Sequence, residues 1–129
     1  MFLIFALMQA PAQQPAPAVE IPRIAEEIVV DGVLDEPVWS QAAVLSGFRQ
    51  YEPVDGRPAQ ERTEVLVWYS PDAIHFGVRA FDSRPDAIRA TRADRDNVGS
   101  EDHVVIYLDT FNDRRRAFFF GANALGVQM

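Results

Sequence analysis

Nineteen acidic side chains against twelve basic ones set the chemistry open to this 129-residue chain. Asp82, Asp94, Asp96 and Asp102 stand in one polar stretch. They are the hard oxygen donors that calcium takes, although their spacing matches no EF-hand loop. His75 and His103 have no carboxylate at a metal-binding spacing, which argues against a transition metal. The many carboxylates include the residue types of a glycosidase acid/base pair, but such a pair also needs a defined cleft. There is no cysteine, so disulfides, thiolate metal ligands and a cysteine nucleophile are excluded. No Gly-x-Ser-x-Gly elbow, phosphate-binding glycine loop or His-Glu-x-x-His occurs. Residue type alone leaves the glycosidase pair open, and no nucleophile or phosphate-binding motif marks another enzyme class.

The net charge of −7 disfavours nucleic acid, because phosphate recognition needs clustered Lys and Arg. The one basic run, Arg114-Arg115-Arg116, follows Asp113 and reads as a solvated turn at a hairpin tip.

These residues must be positioned by strands. Val30-Asp31-Gly32-Val33-Leu34-Asp35-Glu36-Pro37-Val38-Trp39 is the most ordered local signal. Ile28-Val29-Val30 is β-branched and suits a strand, and Asp31-Gly32 is a turn pair. Asp35 is expected to cap a short helix, with Glu36 and Pro37 in its first turn. Val38, Trp39, Ala42 and Ala43 then share one face, so Trp39 is expected to be a core anchor rather than a sugar-stacking platform. Phe48–Tyr51 reads as a short strand with Phe48 inward, and Glu52–Pro58 as a loop. Thr63–Tyr69 and Ile74–Phe81 alternate as strands joined by Ser70-Pro71-Asp72-Ala73. A helical turn is expected near Pro85–Ala90. Val104, Ile106 and Leu108 line one face of a strand, opposite His103, Val105, Tyr107 and Asp109. A further strand covers Arg116–Ala122, and Ala122–Gly126 reads as a turn. Antiparallel hairpins with one small helix predict an all-β fold, an antiparallel β-sandwich, with a closed or half barrel as the other solution.

The ends carry a different message. Residues 2–8 are apolar, and Ala10-Pro11-Ala12 has the small-x-small form of a cleavage site. Residues 1–12 therefore read as a signal peptide, residues 13–23 as a Pro/Gln/Ala linker, and 24–129 as the domain. Export to the periplasm, outer membrane or medium is expected. The apolar run is too short to span a bilayer, so the chain is not expected to cross one.

The Asp31–Trp39 motif resembles the opening of the carbohydrate-binding module family 9-like domains, copies of which stand at the N-termini of large bacterial envelope proteins. The likeness continues through Thr63-Glu64-Val65, the strand ending at Tyr69, Arg95-Asp96, Glu101-Asp102-His103-Val104, Leu108-Asp109-Thr110, Phe120–Asn123 and Leu125-Gly126-Val127-Gln128. It covers residues 24 to 128. It implies a β-sandwich of jelly-roll type whose last strands this chain lacks, since the resembled domain is longer.

The resemblance also implies carbohydrate binding by a non-catalytic module of a larger exported protein, whose other parts could include a glycoside hydrolase. Sugar-binding members use a Trp, an acidic contact and a basic contact, where this chain has Gly99, Val105 and Gly121. The side chains remaining on the corresponding faces are His103, Tyr107, Phe119 and Asn123. Tyr and Phe can stack on a sugar ring, and Asn can bond its hydroxyls. No cofactor is required. Calcium, which some members bind, is the candidate ion, with Asp82, Asp94, Asp96 and Asp102 as donors. Haem, found in the wider superfamily, would need axial ligands, and nothing pairs Met129 with either His. The competing reading is an accessory sandwich that packs on the rest of its own protein or an envelope partner and binds no sugar.

Overall fold

The computed structural model describes residues 18–129, so the segment read as a signal peptide and the start of the linker lie outside the described residues. The chain divides into two compact units, one ending at Phe81 and the other spanning Asp82–Met129. Both are built from antiparallel strands, and among the described residues the only helices are single 3-10 turns. The fold is all-β.

The first unit is organised by its central strand. Thr63–Tyr69 (β2) is a β-branched and aromatic run, the composition that fits a pleated surface. It pairs with the short β1 (Ala43–Leu45) on one side and with β3 (Ile74–Ala80) on the other. The β2–β3 register runs from Thr63 opposite Ala80 to Tyr69 opposite Ile74. Ser70 closes this hairpin as expected. Its N–H donates to the Ala73 carbonyl at 2.8 Å, and its hydroxyl oxygen accepts the Ala73 N–H at 3.1 Å. Leu66, Val67 and Trp68 are buried in succession, so β2 is covered on both faces there.

Val38, Trp39, Leu66 and Trp68 form the core, with Ile24, Ile28, Leu34 and Ala42 packed against them. Each large apolar side chain so buried contributes roughly 1.5–3 kcal/mol relative to exposure. The two indoles meet edge-to-face, 6.1 Å between centroids at 77°. This is a favoured aromatic geometry, and Trp39 is the anchor that the sequence predicts. Gly77 makes the close approach possible. A Cβ there would lie 2.9 Å from the Trp39 ring and 3.0 Å from both Leu34 methyls.

Three local expectations are corrected. Pro37–Gln41 is a 3-10 turn whose N-cap is Glu36, not Asp35. The turn stops because Ala42 is already extended and β1 begins one residue later, leaving no room for an α-turn. The Glu36 carboxylate instead accepts the Trp39 indole N–H at 2.9 Å and the Val29 N–H at 3.1 Å. Second, Ile28–Val30 is no strand. No ladder partner among the described residues reaches it, and Val29 and Val30 are exposed. Third, Phe48 is exposed rather than inward. Residues 48–59 form a narrow loop held by Gln50 N–H to Arg57 carbonyl at 2.7 Å and Ala59 N–H to Phe48 carbonyl at 3.1 Å. Ahead of residue 24, Arg23 bridges Tyr69 in parallel, and the Tyr69 N–H donates to the Pro22 carbonyl.

The second unit is a hairpin of β4 (His103–Leu108) and β5 (Phe118–Asn123). Its register pairs His103 with Asn123, Val105 with Gly121 and Tyr107 with Phe119. The connecting loop holds itself. Asp109 accepts the N–H groups of Phe111 and Arg114, and Asp113 those of Arg115 and Arg116. The Arg116 guanidinium lies 4.1 Å above the Phe111 ring and bonds Asp113, so the basic run is a structured turn. The helical turn expected after Pro85 is a 3-10 turn, Pro85–Ala87.

After β5 the chain doubles back. The Gly126 N–H donates to the Asn123 carbonyl at 3.0 Å, with Gly126 at φ +79°. This is the three-residue hairpin in which a β-turn ends on a left-handed glycine. Gly121 and Met129 then exchange N–H···O bonds in both directions, at 3.3 and 3.0 Å.

Candidate functional site

Strand alternation places His103, Val105 and Tyr107 of β4 on the same face as Asn123, Gly121 and Phe119 of β5. The structure thus gathers the four side chains expected to contact a ligand into two cross-strand pairs on one face. Tyr107 is 71% exposed and Phe119 52%. Their rings sit 6.2 Å apart, tilted by 41°. This pair is a solvent-facing aromatic surface, the kind of group that can stack on an apolar ring face.

The other pair behaves differently. His103 is exposed, and its Nδ1 lies 2.6 Å from the Glu101 carbonyl oxygen, which makes Nδ1 the donor in that bond. Asn123 is only 6% exposed. Its Nδ2 donates to the Thr91 carbonyl and to Glu101 Oε2, both at 2.9 Å. Its Oδ1 accepts the Leu125 and Val127 N–H groups at 3.0 and 2.9 Å. An amide side chain offers two donors and two lone pairs, and all four are engaged within the chain. Asn123 therefore has nothing left for a ligand hydroxyl.

Asn123 works instead as a hub. Glu101 also accepts from the Thr91 N–H at 3.0 Å and from the Thr91 hydroxyl. These bonds, led by the Thr91 hydroxyl and then the Asn123 amide, hold the Glu101 carboxyl below its usual range. Next to it, Asp102 Oδ2 accepts the Arg89 N–H at 2.7 Å, and the Asp102 N–H donates to the Arg89 carbonyl. The segment between Thr91 and Glu101 is thereby closed at its base, with Val98 fully buried. Sequence reasoning missed Thr91 and Glu101. The available signal was Asn123 three residues before Gly126, which marks a turn-former at a hairpin base.

The centre of the face is apolar. A Cβ on Gly121 would meet the Met129 side chain at 2.6 Å, so Met129 lies over Gly121, the position opposite Val105. The opposite face of the same sheet carries Ile106, Leu108, Phe118 and Phe120, and both phenylalanines are exposed.

The expected calcium ligands are not brought together. Asp82 accepts the Arg84 N–H, Asp102 that of Arg89, and Asp96 lies 4.0 Å from the Arg95 guanidinium. Asp94 contributes its backbone carbonyl to Asn97. Among the described residues no three His, Asp or Glu side chains converge on a point where an ion could sit. Asp82 and Asp102 use their carboxylates singly, each to satisfy a backbone N–H group outside any ladder.

In the first unit a cleft runs between the 28–34 loop and β3, with Trp39, His75 and Gly77 in its lining. The His75 ring stacks on Trp68 at 3.9 Å and 18°, and His75 Nε2 and Trp68 Nε1 are buried without a hydrogen-bond partner among the described residues. No helix among the described residues is long and apolar enough to cross a membrane.

Comparison with known proteins adds no relative: no family model, no curated protein and no solved structure matches the chain.

Proposed function

We propose that the Tyr107–Phe119 face binds saccharide as part of a non-catalytic module, a β-sandwich of jelly-roll type spanning residues 24–129 in a larger exported protein. The observation that carries this reading is the exposed aromatic pair on facing positions of β4 and β5. Its rings can stack on a sugar, with His103 Nε2 at the strand end as a hydrogen-bonding group. Neither the acid nor the base of the resembled family stands beside it, and Asn123 is engaged elsewhere. Affinity should therefore be about millimolar, roughly 4 kcal/mol. Export rests on the apolar residues 2–8 and the Ala10-Pro11-Ala12 site.

A second reading draws on the other face. Phe118 and Phe120 are exposed beside Ile106 and Leu108, and an apolar strip of that kind suits contact with protein. In this reading the chain is an accessory domain that packs on the rest of an envelope-associated protein and binds no sugar.

NMR titration of the chain with mono- and oligosaccharides separates the two. Shifts confined to β4 and β5 around Tyr107 and Phe119, lost in Tyr107→Ala and Phe119→Ala while the amide spectrum stays folded, support saccharide binding. No shift with any sugar at tens of millimolar removes it. EDTA should leave the titration unchanged, because no three His, Asp or Glu side chains converge among the described residues.

A further inference from the structure

The tripeptide Val-Asp-Gly occurs twice, as Val30-Asp31-Gly32 and as Val54-Asp55-Gly56. Aspartyl-glycine is the sequence in which a backbone amide most readily attacks the preceding side chain, because glycine has no Cβ to block the approach. Both copies are exposed, and both glycines have positive φ, +87° and +75°. Local sequence therefore treats the two alike. The fold does not. The Gly56 N–H donates to the Gln50 carbonyl at 3.0 Å, and the same loop is tied by Arg49 Nη1 to the Gly56 carbonyl at 2.6 Å. The attacking nitrogen there is held in a hydrogen bond, between two residues that are themselves bonded across the loop.

Among the described residues no such bond holds the Gly32 nitrogen. The bonds near it are the Asp31 N–H to the Val29 carbonyl at 3.1 Å and the Val33 N–H to Asp31 Oδ1 at 2.8 Å. The second is an Asx turn, which swings the Asp31 carboxyl forward along the chain, toward the residues that follow it. A free amide nitrogen, a forward-facing carboxyl and an unhindered glycine thus coincide in one solvent-facing loop.

We infer that Asp31-Gly32 is a site of spontaneous backbone modification, converting to isoaspartate by way of a cyclic imide, and that Asp55-Gly56 is protected from it. In the first step the Gly32 nitrogen bonds to the Asp31 side-chain carbonyl carbon. The nitrogen loses its proton and the protonated carboxyl loses its hydroxyl, so one water leaves. In the second step one water adds to either imide carbonyl. Opening at one restores aspartate, and opening at the other leaves the main chain running through the Asp31 side chain. No oxidant or co-reactant is needed. The product lengthens the loop backbone by one methylene and takes away the carboxyl that holds the Val33 N–H. The neighbouring Val29 N–H, bonded to Glu36, belongs to the same loop.

The test is ageing of the full chain in mildly acidic buffer at body temperature, followed by peptide mapping. An aspartate-specific protease, which does not cut at isoaspartate, and enzymatic methylation of isoaspartyl carboxyls both report the product at each position. Isoaspartate should accumulate severalfold faster at residue 31 than at residue 55 in the folded chain. In urea the two rates should converge, because only local sequence then matters. Asp31→Glu, whose longer side chain disfavours the five-membered imide, should abolish the signal at 31 and leave that at 55 unchanged. Equal rates in the folded chain, a faster rate at Asp55, or a difference that persists in urea would each overturn the inference.

Discussion

Replacing Asn123 by leucine keeps the branching and heavy-atom count of the side chain and removes all four of its hydrogen bonds. The Thr91 carbonyl and the Leu125 and Val127 N–H groups then lose a partner. Glu101 keeps both of its bonds from Thr91. Three orphaned groups at about 1–3 kcal/mol each set an upper range near 9 kcal/mol. That range is too high here, because Leu125 is exposed, Val127 is half-buried, and water can reach their amides once the loop loosens. A cost of about 2–4 kcal/mol is expected. Urea unfolding of the full chain measures the total. Hydrogen exchange at Leu125 and Val127 localises it, and both amides should exchange much faster in the variant. An unfolding midpoint within error of the parent, with unchanged exchange at these two amides, would refute the assignment of Asn123 as a hub. Saccharide shifts at Tyr107 that survive in Asn123→Leu would fit the same assignment, since Asn123 then anchors the fold and touches no ligand.

Three further outcomes follow from the geometry. Trp39→Ala should cost about 3–5 kcal/mol, the range for a buried aromatic, and an unchanged denaturant midpoint would remove Trp39 from the core. Gly77→Ala places a methyl 2.9 Å from the Trp39 ring and should destabilise by about 1–3 kcal/mol, with Gly77→Ala in a Trp39→Leu background costing less if the clash is the cause. Glu101 has a lowered folded pKa, so its contribution is fully present above the ordinary carboxylate pKa and is lost as pH falls through the lowered value. The acid limb of a urea-midpoint profile should therefore flatten in Glu101→Gln, and an identical slope in both proteins would sink that link.

How far the sequence speaks depends on what kind of signal each element carries. Thr63–Tyr69 and Ile74–Ala80 were legible because period-two alternation, β-branched side chains and the Ser-Pro-Asp turn agree, and the ladder follows from that agreement. Trp39 was legible because a large apolar residue beside Pro37 and two alanines has few places to go other than a core. Ile28–Val30 misled for the opposite reason. β-propensity describes a fit to neighbouring strands, and no strand arrives to pair with it. Asp35 misled because two acceptors stand side by side at the turn. The choice between them is made by the Val29 N–H and the Trp39 indole, whose positions depend on tertiary packing.

The candidate site shows the same division in sharper form. Alternation alone puts Tyr107 and Phe119 on a common face once β4 and β5 are antiparallel, and the register then makes them direct partners. Asn123 obeys the same alternation, yet it is drawn inward by groups from residues 91 and 101 that no local pattern links to it. A strand period tells which face a side chain shares. It does not tell whether that side chain meets solvent or meets a loop arriving from elsewhere in the chain. For an aromatic pair the difference is one of exposure, and here both rings remain exposed. For an amide the difference decides function, because four internal hydrogen bonds exhaust what it could offer a ligand. The polar content of this face therefore falls to His103 and the Tyr107 hydroxyl. Any ligand it holds must be recognised mainly by stacking.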